Sequence, residues 1–261
     1  MYPFFGVARY EYRMTVLRWG MWLAFGVLYV LYGITLFAPG EPLIQRGASL
    51  WQVAGQLVFR TNLFMPLVGG IVAADRLYRD YRLGVRELQS SAPIGVWTYL
   101  AAKYFAVIAG VMTPVVAFIL AAGMISVVGY HAPVQLLPML MVAMLVLSLP
   151  AFAFVTIFSL ACPLVMPVRV YQVLFTGYWF WGNFLNPHVI PNLSRTLLTP
   201  SWMWAFHGFF GGYGGEIHLS PSTTPLYTAP EAVLNLAVLA ACIVAAFVAL
   251  QQFMAWKARR A

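Results

Sequence analysis

Long apolar runs separated by short clusters of arginine dominate the chain, and neither strand-like alternation nor a soluble-helix stripe accounts for them. A helix needs about 20 apolar residues to cross the hydrocarbon of a bilayer. Six segments meet that length: 19–38, 50–74, 104–128, 134–160, 164–185 and 229–256. The expected fold is therefore all-α, one transmembrane helical bundle over residues 1–261 with no polar linker to divide it. Pro39-Gly40 ends the first run and Asn186-Pro187 the fifth, while Thr228 followed by Glu231 has the spacing of a capping box for the sixth. Arg60-Thr61-Asn62 interrupts the second run, and Pro167 with Arg169 interrupts the fifth.

Composition strengthens this reading. Hydrophobic residues make up 62% of the 261 positions and charged residues 8%, whereas a soluble domain carries about a quarter charged residues. The net charge of +8 does not point to nucleic acid, because the basic residues flank apolar runs. With the N-terminus cytoplasmic, twelve of the fifteen Lys and Arg fall on the inner side, Arg46 and Arg195 fall outside, and Arg60 lies within a span. That asymmetry orients both termini to the cytoplasm. The arginines at 9, 13 and 18 precede a run too long for a cleaved signal and without a small-residue cleavage site, so the first span reads as a retained anchor.

One outer segment departs from the rhythm. Residues 186–227 are rich in Trp, Phe, Gly and Pro, with a helix start at Thr199-Pro200-Ser201-Trp202 and five glycines between Phe206 and Gly215. It is expected either to dip into the membrane as short re-entrant helices or to form an aromatic-belt loop.

The inner segment 75–95 carries more information. Placed on a helix through Leu88, Leu77, Tyr78, Tyr81, Val85 and Leu88 share an arc of roughly 100°. Arg79, Arg82 and Arg86 form a neighbouring stripe, and Arg76, Asp80 and Glu87 a third. Such a helix buries its apolar arc and offers its charges to a partner, or only to lipid headgroups.

Within the spans, Arg60 with Asn62 is the polar point. Fifteen residues from Asp75, it lies about 20 Å from the cytoplasmic edge, in the outer half of the bilayer. An intramembrane arginine faces a cavity or a partner, which suits a translocation path for a substrate with an anionic group. The alternatives are snorkelling to outer headgroups or a structural pair with Glu41 or Glu231. The histidines at 131, 188, 207 and 218 all fall in outer segments without ligand spacing, and Cys162 and Cys242 read as packing residues, so no metal site is expected. No catalytic residue is expected either. Neither a carboxylate pair within a span nor a G-x-x-x-x-G-K-[ST] phosphate loop occurs, so energy for any transport would come from another subunit.

The run from Ala74 to Gly95, followed by Tyr99-Leu-Ala-Ala-Lys103, resembles the cytoplasmic segment of ABC-2-type transporter permeases. The matching positions are Gly84, Glu87, Leu88, Ser91, Pro93, Tyr99, Leu100 and Lys103. The likeness covers about thirty residues in sequence and the whole chain in layout. It implies a six-span permease, not itself an enzyme, in the cytoplasmic (inner) membrane of a prokaryote. ATP and Mg would be bound by a separate ABC ATPase docked on Arg76, Arg79, Asp80, Arg82, Arg86 and Glu87. A second permease copy or paralogue would complete a substrate path, most simply that of an exporter. The N-terminal segment departs from the pattern, since Arg9 and Arg13 share a face while Glu11 and Arg18 lie opposite. A non-transporting scaffold or anchor subunit of a larger membrane complex stays open as the other reading.

Overall fold

A computed structural model describes residues 2–37, 48–84, 94–185, 190–193, 196–200, 202–211 and 227–258. Every regular element among them is helical: α1 (Tyr2–Val16), α2 (Trp19–Leu36), α3 (Leu50–Thr61), α4 (Met65–Ala73), α5 (Arg76–Arg82), α6 (Val96–Gly129), α7 (Leu136–Ala143), α8 (Leu149–Ala161), α9 (Val168–Asn183), α10 (Trp202–Phe210) and α11 (Ala229–Ala258). A π-helical turn at Met144–Ser148 joins α7 to α8. It immediately precedes Pro150, whose missing N–H cannot serve the regular ladder.

Among the described residues, four units are long and apolar enough to cross a membrane: α2, α6, the α7–α8 unit continued to Leu164, and α11 as far as Lys257. A fifth arises if α3 and the helix from Met65 to Arg82, bent by 45° at the intervening break, count as one. The stretch expected as a fifth span contains α9, whose 16 residues reach about 24 Å at 1.5 Å per residue. Pro167 is its N-cap and Arg169 lies in its first turn, and the helix is shorter than the length that crosses a bilayer.

Aromatic and aliphatic side chains from α2, α3, α6, the α7–α8 unit and α10 form the main core. A second cluster around Trp179 binds α9 to α4, α8 and α11. Helix α2 turns Met21, Phe25, Tyr32 and Leu36 inward, with Tyr29 stacked on Phe118 of α6 at 4.5 Å. Its other face is exposed at Leu23, Val27, Val30, Leu31 and Ile34, the pattern of a helix that meets lipid or another chain on one side.

The stretch around α10 folds inward. Trp51 stacks on Phe210 and Phe59 on Phe206, Trp51 Nε1 donates to the Phe209 carbonyl at 2.8 Å, and Trp204 stacks on Tyr227. On the other side, Asn235 of α11, fully buried, donates to the carbonyls of Leu197 and Thr199 at 2.9 and 3.1 Å. The chain thus passes Asn235, about two turns inside α11, before α10 begins and climbs along α3 from Phe59 towards Trp51. At the head of α11, Glu231 accepts from Thr228 N and Oγ1 at 2.7 and 2.8 Å, the contact that the capping-box spacing anticipates.

Candidate functional site

Two polar constellations stand out against this apolar frame. The first lies where α1, α5 and the start of α6 meet. Lys103, one turn after Tyr99 in α6, is 1% exposed. Its ammonium contacts Glu11 Oε2 of α1 at 2.7 Å and Asp80 Oδ2 of α5 at 2.6 Å. Tyr99 donates its hydroxyl to the same Asp80 oxygen. Arg76, 2% exposed, reaches Glu11 Oε1 at 3.8 Å and donates to the Met14 carbonyl at 3.2 Å. At the margin, Asp75 receives Arg18 at 2.9 Å and Arg79 at 2.8 Å. Charges so deeply buried are tolerated because each is paired and hydrogen-bonded.

These contacts explain why α1 is not cleanly amphipathic. Glu11, out of place among Arg9 and Arg13, is the residue the bundle needs, and it is 3% exposed while both arginines face out. Helix α1 approaches α6 closely at Gly110, where an added Cβ would come within 2.6 Å of Thr15 Cγ2. Tyr12 and Thr113 hydroxyls bond at 3.1 Å.

The expected partner-facing residues are thereby divided. Arg76 and Asp80 point into the bundle; Arg79 and Arg82 point out. The helix expected through Leu88 ends at Arg82. Leu83 caps it, and Gly84 takes the left-handed value φ 66°, which glycine adopts without a steric penalty. Arg86 and Glu87 lie outside the described residues. Tyr81, expected on the buried arc, is exposed, and Lys257 at the foot of α11 sits 3.9 Å above its ring.

The second constellation is the break between α3 and α4. Two of its freed backbone groups are taken up by other helices, Leu63 O accepting from Trp179 Nε1 at 2.9 Å and Phe64 N donating to the Tyr32 hydroxyl at 3.2 Å, while the Asn62 side chain donates to Leu147 O of the π turn at 2.9 Å. A broken helix inside a membrane bundle persists only when neighbours satisfy it in this way. Asn62 is buried at the π turn, whereas Arg60, about 200° earlier around the helix, lies on the partly open side. The structure therefore does not bring these two sequence-selected residues together.

It adds two others. From Val53 to Thr61, every residue of α3 is buried except Gln56 and Arg60, and Gln52 continues the same line one turn earlier. The spacing i, i+4, i+8 puts all three on one stripe, a signal present in the sequence but masked by the apolar residues between them.

The chain matches no protein-family model and no curated protein. Its geometry defines an all-helical bundle with several helices apolar and long enough to cross a membrane.

Proposed function

We propose that the chain is the membrane-spanning permease subunit of an ATP-driven ABC transporter, working as an exporter and coupled to a separate ATPase. In this reading six spans cross the inner membrane of a prokaryote with both termini cytoplasmic, α9 with its flanks forming the fifth. The short helix α10 then belongs to a re-entrant outer segment. Two copies, or a copy and a paralogue, enclose the path, to which Arg60 contributes and whose closure Asn62 stabilises.

One observation carries the reading. The helix that begins below the break, Met65 onward, continues with little interruption through Ala74 and Asp75 into α5, whose Arg79 and Arg82 are exposed. A force applied to those arginines would pass along one stiff helix to the break about 15–20 residues away, roughly 25 Å. Arg76 and Asp80, locked to α1 and α6, would carry the same displacement sideways.

Arg79 and Arg82, with Arg86 from the same sequence stripe, are the test. Arg79→Gln, Arg82→Gln and Arg86→Gln combined should leave insertion and thermal stability near wild type, because Arg79 and Arg82 are exposed and exposed ion pairs contribute only about 0–1 kcal/mol. ATPase association should weaken at least tenfold, as loss of interfacial charge pairs costing ~2 kcal/mol predicts. If titration of the ATPase on the triple variant gives wild-type affinity and transport, the segment only contacts headgroups and the coupling role fails.

A further inference from the structure

The outward face of α1 joins charge to exposed apolar surface in a way that suits neither water nor hydrocarbon alone. At 100° per residue, Phe5, Gly6, Arg9, Tyr10, Arg13 and Leu17 share an arc of about 140°, and every one of them is exposed. Phe5, Tyr10 and Leu17 leave 65%, 66% and 74% of their surface open. Arg9 and Arg13, four positions apart on that arc, repel each other in isolation. No acid relieves them among the described residues: Glu11 is turned to the opposite side and taken by Lys103 at 2.7 Å, Asp75 receives Arg18 and Arg79, and Asp80 receives Lys103. The level of the helix is set by α6, which α1 meets at Lys103, Gly110 and Thr113, where the apolar part of α6 begins. The chain then continues through exposed Trp19 to Leu23, Val27 and Val30 on the open apolar side of α2. Tryptophan and arginine beside bulky apolar residues at the end of a span are the chemistry of the headgroup boundary.

We propose that this face of α1 binds anionic phospholipid, with Arg9 and Arg13 together holding a headgroup phosphate while Phe5, Tyr10 and Leu17 enter the acyl boundary. A phosphate between the two guanidinium groups turns their repulsion into attraction and receives charge-assisted hydrogen bonds from both. The three bulky apolar side chains, and the open side of α2 next to them, commit the surface to a lipid rather than to a soluble acidic protein. The Glu11–Lys103 pair and the close approach at Gly110 fix the rotation of α1 about its own axis, so turning Glu11 inward turns Arg9 and Arg13 outward. The inference needs only that the helices cross a bilayer, and it stands or falls apart from the permease reading.

A fluorophore on this face tests it. Gly6 lies on the arc and a side chain there starts in open space, so the full chain carrying Cys162→Ala, Cys242→Ala and Gly6→Cys is labelled with bimane and placed in phosphatidylcholine nanodiscs. A small, equal fraction of the lipid is supplied with brominated chains, either as phosphatidylglycerol or as phosphatidylcholine. Quenching by the brominated phosphatidylglycerol should be stronger by about fivefold, the gain expected from one arginine near an anionic surface, or by more when both act together. Arg9→Gln with Arg13→Gln should remove the preference and leave quenching in place; Arg9→Lys with Arg13→Lys should keep both. Equal quenching by the two lipids, or a preference unchanged in the double glutamine variant, overturns the phosphate site. Absence of quenching by either lipid shows that water or protein covers the face and overturns the lipid surface altogether. If the cysteine-free background does not fold, native mass spectrometry of the otherwise unchanged chain with phosphatidylglycerol decides the matter. The double glutamine variant should then retain fewer lipids than wild type, and equal retention overturns the proposal.

Discussion

Lys103→Met is expected to cost the bundle about 3–5 kcal/mol, the range seen when one member of a buried ion pair is removed. Its ammonium bridges Glu11 and Asp80, at 2.7 and 2.6 Å, and without it the two carboxylates lose their shared cation in an almost water-free junction. Membrane proteins and soluble domains alike are stabilised by margins of only about 5–15 kcal/mol, so yield and thermal midpoint should both fall sharply. The loss should be strongly non-additive. Combining Lys103→Met with Glu11→Gln removes one of the stranded charges and should recover part of the stability, as expected for residues in one network. Fluorescence-detected size exclusion after heating, on the single and double variants, measures this. Equal midpoints for wild type and Lys103→Met would mean that the junction is solvated and that α1 is not held by charge.

The second large effect is steric. At Gly55 an added Cβ would lie 2.6 Å from Phe210 Cβ, an atom fixed to the α10 backbone that cannot swing aside. Gly55→Leu should therefore force α10 off α3, at a cost of about 1–3 kcal/mol or more for overpacking. It would also break the Trp51–Phe210 stack and the Trp51–Phe209 hydrogen bond. Helix content should survive while protease protection at α10 is lost. Gly177→Leu is the matched control: its added side chain starts in open space, and replacing a helical glycine gains up to about 1 kcal/mol. Similar protection in both variants would show that α10 is not seated against α3.

These two sites also show what the residues alone could convey. The apolar runs predict the helices because length and hydrophobicity are local properties; α2 and α11 follow the expected spans closely, while α6 begins at Val96, eight residues before its expected span. The break after Thr61 was signalled by Arg60 and Asn62, but its closure was not, since its partners Leu147, Trp179 and Tyr32 are 32 to 116 positions away and depend on helix packing. Glu11 and Lys103 looked unrelated for the same reason: 92 residues separate the two ends of a bond that only the packing of α1 on α6 creates. Gly84 carried a readable stop signal for α5 that helical periodicity overrode, because charges recurring at the right interval suit a helix whether or not a glycine follows them. The inward turn of Arg76 and Asp80, beside outward Arg79 and Arg82, follows from which side of α5 meets α1 and α6.

The central claim, that this chain transmits energy from a separate ATPase to a path in the membrane, is tested most directly by ATP hydrolysis in the complex purified from its native membrane through this subunit. The account predicts Mg-dependent hydrolysis that co-elutes with the chain and is lost from the complex when Arg79, Arg82 and Arg86 are replaced together. A chain that elutes intact, folded and in its native assembly with no ATPase subunit and no hydrolysis would contradict it.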